Sequence, residues 1–172
     1  MSNPTFARPS VHGGATPDSE QYLTFQLAEQ EYGIDILRVQ EIKGWDKPTR
    51  IPHSPSHVLG VINLRGAVVP VIDLRKRFGL EPATHGATTV VIVVRVKSER
   101  GELTAGIVVD AVCEVCNVTQ EDLRPPPEVA RGVGQDFVKG LAMSSERMLI
   151  LLHVDRLINA SLLLEAAGVQ AA

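Results

Sequence analysis

With 172 residues, 44% of them hydrophobic, the chain is long enough to fill one ordinary domain or two small domains that share a core. Its 17 Lys and Arg against 20 Asp and Glu give a net charge of −3, and no long basic run argues for nucleic-acid binding. No window is apolar enough to span a membrane, and residues 1–20 lack the apolar region of a signal peptide. We therefore expect a soluble cytoplasmic protein.

The first half of the chain is predicted to consist mainly of β-hairpins. Residues 1–20 predict a disordered N-terminal arm, because they combine three prolines with no apolar stretch. Alternating hydrophobic residues then predict a hairpin formed by Tyr22–Leu27 and Tyr32–Ile36. The segment Leu37–Lys43 fits either a short helical turn or a further strand. A second hairpin is predicted on the two sides of Arg65–Gly66, where a glycine suits a tight turn.

The second half shows the same order of elements. A hairpin is predicted from Thr88–Val96 and Leu103–Val109, and Thr119 is placed to cap a short helical turn. Two further strands and an amphipathic helix complete the chain, at Phe137–Ala142, Met148–Val154 and Asp155–Ala167.

The two halves also resemble each other residue by residue. Two sets of positions match at a constant shift: Gly60 and Val68–Ile72 with Gly140 and Met148–Leu152 (80 residues), and Gly33 and Glu41 with Gly106 and Glu114 (73 residues). Each half is too small to bury a good core alone, so two partly open barrels packed together are the expected arrangement. The predicted fold class is therefore mainly all-β, with short helices and a C-terminal helix.

Cysteine and histidine are the residues that could carry a catalytic or metal site. Cys113 and Cys116 have C-x-x-C spacing, but they lie in a strand-like stretch. Side chains three positions apart in a regular strand point to opposite faces, so we expect neither a shared metal nor a disulfide. His53 and His57 flank Pro55, which prevents the continuous helix that would align them. Without a nucleophile elbow, phosphate loop or zinc-protease motif, the sequence predicts a non-enzymatic protein with no metal and no cofactor.

Five blocks of sequence, in order between about Tyr22 and Asn159, resemble the CheW family of bacterial chemotaxis coupling proteins. The blocks are YGIDILRVQEI at 32–42, GVINLRG at 60–66, VPVIDLR at 69–75, GIVVD at 106–110 and RMLIL at 147–151. The resemblance implies two five-stranded SH3-like barrels within residues 21–160, followed by the end of the C-terminal helix and a tail at 161–172.

The same resemblance implies a function. It is that of a non-catalytic adaptor that links the cytoplasmic tips of chemoreceptors to the regulatory domain of the histidine kinase CheA, within membrane-associated receptor arrays. The residues that match the family's receptor-binding groove are Val39, Glu41, Ile42, Arg65, Val90 and Val115, with Gly60 and Gly66 supporting the local backbone. The apolar members suit a groove that accepts an amphipathic helix, whereas the charged pair would set its register. The resemblance also implies a kinase contact at the barrel ends, without naming its residues.

Two other functions compete with the adaptor. One keeps the fold but makes it a regulatory module of a larger enzyme or of a response-regulator fusion. The other is a thiol or metal enzyme that uses Cys113 and Cys116.

Overall fold

A computed structural model of the chain describes residues 19–81, 83–126, 135–144 and 146–171, with the side chains of its last helix described through Leu162. The predicted N-terminal arm lies outside the described residues as far as position 18, and β1 begins at Ser19. Within the described ranges the chain forms eleven strands and two α-helices: β1 Ser19–Leu27, β2 Gln30–Asp35, β3 Val39–Gly44, β4 Val58–Leu64, β5 Ala67–Asp73, α1 Leu74–Arg77, β6 Val90–Ser98, β7 Gly101–Val109, β8 Ala111–Thr119, β9 Leu123–Arg124, β10 Val138–Ser144, β11 Arg147–Leu152 and α2 Val154–Ala171. None of the helices in this part of the chain has the length and apolar character needed to cross a membrane.

The strands form two sheets, each of which curls into an SH3-like barrel. The central barrel has the strand order β3-β6-β7-β5-β4, and the terminal barrel has the order β8-β1-β2-β11-β10-β9. The prediction of a mainly-β fold with two packed barrels is therefore confirmed. The terminal barrel has a sixth strand because the two-residue β9 pairs with β10, whereas the matching contact in the central barrel is a single bridge between Thr49 and Val61.

The strand register reproduces the internal doubling found in the sequence. In the central barrel, β5 runs parallel to β7 and Val71 lies opposite Gly106. In the terminal barrel, β11 runs parallel to β2 and Leu151 lies opposite Gly33. These two contacts match at the predicted shifts of 80 and 73 residues. Both glycines allow a close approach, since a Cβ on Gly33 would lie 2.9 Å from Leu151 Cδ2 and one on Gly106 would lie 2.7 Å from Val91 Cγ1.

Each barrel is built from parts of both halves of the chain. The hairpin β1–β2 pairs with β8 and β11, which belong to the second half. The hairpin β6–β7 pairs with β3 and β5, which belong to the first half. The predicted repetition of elements in the two halves is correct, but the first hairpin of each half, β1–β2 or β6–β7, belongs to the barrel formed mainly by the other half.

One hydrophobic core spans both barrels and is larger than the cores inside them. This spanning core includes Phe25 of β1, Ile92 of β6 and Leu157 of α2, all fully buried. Smaller clusters fill the interior of the central barrel around Val93 and that of the terminal barrel around Leu151. Burial of each large aliphatic side chain contributes about 1.5–3 kcal/mol, so the spanning core contributes more packing energy than the cluster inside either barrel.

Two short segments beside strands adopt helical turns. The segment Leu37–Lys43 is both of the predicted alternatives, since a 3-10 turn at Ile36–Arg38 leads directly into β3. The basic cluster Arg75–Arg77 lies in α1, directly after β5. The helix begins there because Asp73 Oδ1 accepts a hydrogen bond from Arg75 N at 2.9 Å.

Candidate functional site

The turn between β4 and β5 fixes the position of Arg65. Leu64 pairs with Ala67, and the two intervening residues have φ angles of +51° for Arg65 and +89° for Gly66. Positive φ at both central positions defines a type I′ turn, which matches the twist of a hairpin. Gly66 N also donates to Asn63 Oδ1 at 2.8 Å. The tight turn predicted from the sequence is therefore present, and Gly66 supports its backbone.

Arg65 forms an ion pair with Glu41 of β3. Arg65 Nη1 lies 3.1 Å from Glu41 Oε2, and the two side chains are 75% and 22% exposed. Glu41 Oε2 is buried and makes no hydrogen bond with the described residues, so the contact is an ion pair by distance without hydrogen-bond geometry. The site therefore has a half-buried carboxylate with one buried oxygen, next to an exposed guanidinium that keeps donors available to a partner.

Glu41 and its apolar neighbours on β3 face opposite sides of the sheet. Ile42 pairs with Ile92, whose side chain belongs to the spanning core. Glu41 pairs with Val93, whose side chain belongs to the core inside the central barrel. Because directly opposed residues on adjacent strands share a face, the carboxylate and the Ile42 side chain leave the strand in opposite directions.

Each of the four apolar candidates packs against the spanning core. Val39, Ile42 and Val90 are half-buried and pack against it from the β3–β6 side of the central barrel. Val115 packs against the same core from β8, in the terminal barrel. We call these four residues the seam strip.

Val115 is the pseudo-symmetry mate of Ile42. Ile42 pairs with Ile92 on the first strand of one exchanged hairpin, and Val115 pairs with Leu23 on the first strand of the other. By the same relation Val112 is the mate of Val39, and it also packs against the spanning core. Sequence reasoning missed Val112, although the 73-residue shift that aligns Glu41 with Glu114 already aligns Val39 with Val112.

The two supporting glycines act in different ways. Gly60 has a φ of +143°, and a Cβ there would lie 2.1 Å from Thr49 O, so glycine lets β4 approach the Thr49 backbone. The Cβ position of Gly66 has open space around it, so only its positive φ favours glycine.

The thiols of Cys113 and Cys116 are free, but the sequence argument assumed that their strand is regular, and this assumption was wrong. Val112 pairs with Phe25 and Val115 pairs with Leu23, so β8 contains a bulge and strict alternation does not hold across it. Cys113 is exposed and Cys116 is half-buried. Burial raises the pKa of Cys116 to about 11, and burial is also the main cause that raises the pKa of Cys113. High pKa values disfavour the reactive thiolate form.

The histidines do not assemble into a site within the described chain. His53 is exposed in a turn with a φ of +65°, whereas His57 Nε2 lies 3.1 Å from the carbonyl oxygen of Ser161. His85 stacks on Trp45 with a centroid separation of 3.7 Å, and burial lowers the pKa of His153. Among the residues that the structure describes, no group of three or more His, Cys, Asp or Glu side chains is placed to hold a metal ion.

Comparisons with known proteins agree with this architecture. The family model of the CheW-like domain matches residues 21–162. The chain is 44% identical to the chemotaxis protein CheW of Klebsiella aerogenes over 140 residues, covering 81% of this chain and 82% of that protein. It is 35% identical to the chemotaxis protein CheW of Treponema pallidum over 167 residues, covering 96% and 97%. The crystal structure of the scaffolding protein TtCheW from Thermoanaerobacter tengcongensis aligns with a TM-score of 0.73 and 36% identity, covering 80% of this chain and 91% of that one. The chain therefore belongs to the CheW-like family and is a chemotaxis coupling adaptor.

Proposed function

We propose that the chain couples the cytoplasmic tips of chemoreceptors to the histidine kinase CheA and catalyses no reaction itself. The observation that carries the proposal is the pseudo-equivalent pair Ile42 and Val115. The two side chains stay half-buried on edge strands of the two barrels, over one shared core. A receptor tip is a helical hairpin, and a half-exposed apolar strip between two barrels suits the apolar face of a helix.

The ion pair beside the strip supports a role in specificity. Arg65 is exposed enough to pair with a carboxylate of the receptor, while Glu41 holds the guanidinium in place from below. Exposed charges of this kind discriminate between partners and fix their register more than they add affinity. The receptor helix would therefore contact Val39, Ile42, Val90 and Val115, and Arg65 would select its register.

The regulatory domain of CheA would contact the ends of the barrels. The hairpins β4–β5 and β10–β11 each end in exposed apolar side chains, at Val68 in one barrel and at Met143 and Met148 in the other. Val68 and Met148 match at the 80-residue shift, so the two ends present related surfaces. Through these contacts the protein would act in the cytoplasm and be recruited to membrane-associated receptor arrays.

The charge reversal Arg65→Glu tests the receptor site. The fold should be retained because the Arg65 side chain is 75% exposed, but the half-buried Glu41 carboxylate would then face a second anion. We expect receptor-dependent activation of CheA to be lost in reconstituted arrays. Arg100→Glu is the matched control, because Arg100 is an exposed residue of the β6–β7 turn and its reversal should leave activation unchanged.

Two results would decide the assignment. Normal activation by Arg65→Glu would show that Arg65 has no role in coupling. Separate pull-downs of a receptor cytoplasmic fragment and of the CheA regulatory domain, followed by one with both, test the adaptor function itself. An adaptor binds each partner alone and both together, whereas retention of neither would exclude the proposed function.

A further inference from the structure

An ion pair joins the helix α1 to the terminal barrel. Asp110, between β7 and β8, accepts hydrogen bonds from Arg75 Nε at 2.9 Å and from Arg75 Nη2 at 2.7 Å. The Asp110 carboxylate also accepts from Ala28 N, in the β1–β2 turn, at 2.8 Å. We call Arg75, Asp110 and Ala28 the first clamp. It connects the helix that follows β5 of the central barrel with the exchanged hairpin β1–β2 of the terminal barrel.

A second ion pair makes the converse connection. Asp155 of α2 accepts from Arg38 Nη2 at 2.9 Å and from Lys97 N at 3.0 Å. Arg38 lies in the 3-10 turn between β2 and β3, and Lys97 lies near the end of β6. Asn159 Nδ2 adds a hydrogen bond to the carbonyl oxygen of Lys97 at 2.8 Å. We call Arg38, Asp155 and Lys97 the second clamp. It connects the helix that follows the terminal barrel with the exchanged hairpin of the central barrel.

The two clamps occupy pseudo-equivalent places with opposite polarity. Arg75 matches Asp155 at the shift of 80 residues, and Ala28 matches Lys97 at the shift of 69 residues that also matches Leu23 with Ile92. In the first clamp the acid lies on the crossover between barrels and the arginine on the helix. In the second clamp the arginine lies on the crossover and the acid on the helix.

We propose that the two clamps set the angle between the barrels and thereby the width of the seam strip, so that Asp110 and Asp155 are positioning residues for the receptor helix. The spanning core holds the barrels together, but apolar contact is non-directional and does not select one angle. Each clamp supplies directional bonds to both barrels through a single carboxylate, because that carboxylate accepts from an arginine and from a backbone N–H. The part of the proposal that concerns receptor binding rests on the proposed function, whereas the part that concerns the barrel angle does not.

Pulsed electron paramagnetic resonance can detect a change in the barrel angle as a change in the distance between two labels. Spin labels at Val68→Cys and Met148→Cys, in a background with Cys113→Ser and Cys116→Ser, report the distance between exposed and pseudo-equivalent points of the two barrels. Arg38→Asp places two carboxylates together in the second clamp, and we expect the distance distribution to broaden or shift. The double variant Arg38→Asp/Asp155→Arg restores an ion pair with the polarity of the first clamp but removes the acceptor for Lys97 N, so we expect it to return the distribution part of the way to the original. Asp110→Asn tests the first clamp in the same way.

A matched control separates clamp loss from general loss of an ion pair. Arg147 and Glu31 form an ion pair between β11 and β2, which lie within one barrel. Arg147→Ala should therefore leave the distance distribution unchanged. If Arg38→Asp does not fold, the variant Arg38→Gln is used in its place, because it removes the charge and keeps a side chain of similar volume.

Receptor affinity supplies the second measurement. We expect Arg38→Asp to weaken binding of a receptor cytoplasmic fragment about fivefold, because only a fraction of the molecules would then hold the competent angle, and we expect the double variant to recover part of that loss. An unchanged distance distribution in both Arg38→Asp and Asp110→Asn overturns the proposal. A broadened distribution with unchanged affinity overturns the positioning role. If the unaltered protein binds no receptor fragment, the proposed function fails, and the distances still decide whether the clamps set the angle.

Discussion

Substitution of Gly60 by alanine should be among the most damaging single-methyl changes in this protein. The added Cβ would lie 2.1 Å from Thr49 O and 2.7 Å from Thr49 C, which are backbone atoms and cannot rotate away. The residue would also keep a φ of +143°, a conformation that side chains rarely adopt. Relief of the clash requires the Thr49 segment to leave β4, and with it the two hydrogen bonds between Thr49 and Val61 at 2.8 and 2.9 Å.

The expected cost follows from these contributions. Loss of two backbone hydrogen bonds costs about 2 kcal/mol, and the positive φ costs about 1 kcal/mol or more. Displacement of packed backbone adds about 1 kcal/mol, because Thr49 and Arg50 are exposed and can move outward. We therefore expect Gly60→Ala to lower the free energy of unfolding by about 3–5 kcal/mol, a large share of the roughly 5–15 kcal/mol of a typical domain.

Urea unfolding of four alanine variants tests this reasoning. At the pseudo-equivalent Gly140, a Cβ would lie 2.9 Å from Arg124 O without a positive φ, so we expect a smaller cost of about 1–2 kcal/mol. The Cβ of Gly66→Ala would enter open space, so only the positive φ destabilises this variant, and we expect it to lower the free energy of unfolding by about 1 kcal/mol. Gly44→Ala has open space and no positive φ, and serves as the control. A cost for Gly60→Ala that equals the cost for Gly44→Ala would refute the argument from close approach.

Three further predictions concern the thiols and the first clamp. In a Cys113→Ser background, Cys116 should react with a thiol reagent at pH 7.5 about 100-fold more slowly than an unperturbed thiol, because a pKa of about 11 leaves little thiolate. A rate equal to that of an unperturbed thiol would contradict this prediction. The variant Cys113→Ser/Cys116→Ser should retain receptor-dependent activation of CheA and lose only stability, whereas lost coupling would favour the thiol or metal enzyme. Hydrogen bonds from Arg75 lower the pKa of Asp110 in the folded protein, so its stabilisation is present above the unfolded pKa of about 3.9 and is lost as the pH falls through the folded value. The difference in unfolding free energy between the unaltered protein and Asp110→Asn should therefore be constant from pH 5 to 8 and shrink in urea titrations below pH 4.

The doubled architecture could be predicted because strand register depends on features that survive in the sequence. Gly33 and Gly106 lie at matched positions in the two pairs of parallel strands, and Gly60 and Gly140 lie at matched bulges. At each of these places a side chain would meet a neighbouring strand or segment. Those four glycines carry the repeat in the sequence because the backbone geometry at each place requires them. The exchange of hairpins could not be predicted, since a repeated pattern is equally compatible with each half closing its own barrel.

The side-chain directions and ion pairs of the candidate site were harder to predict from the sequence. Side-chain direction follows from alternation only while the ladder is regular, and bulges at Gln40 and in β8 reset it. Glu41 and Arg65 were both singled out, but an ion pair between residues on separate strands depends on how the sheet closes. The clamps were missed for the same reason, because Arg38 and Asp155 are far apart in sequence and carry no shared motif.

The exchange of hairpins also determines the order in which the two barrels can close during synthesis. The central barrel uses residues 39–109 and can close once β7 has left the ribosome, whereas β2 must await its partner β11, and Gly33 precedes Leu151 by 118 residues. At about 5–20 residues per second, the first hairpin spends roughly 6–24 s without that neighbour. During this time an edge of β2 that is later covered stays open to other chains. A nascent chain stalled before β10 would therefore contain one complete barrel and the pairs β1–β2 and β1–β8, while the edge of β2 that later pairs with β11 stays open to another chain.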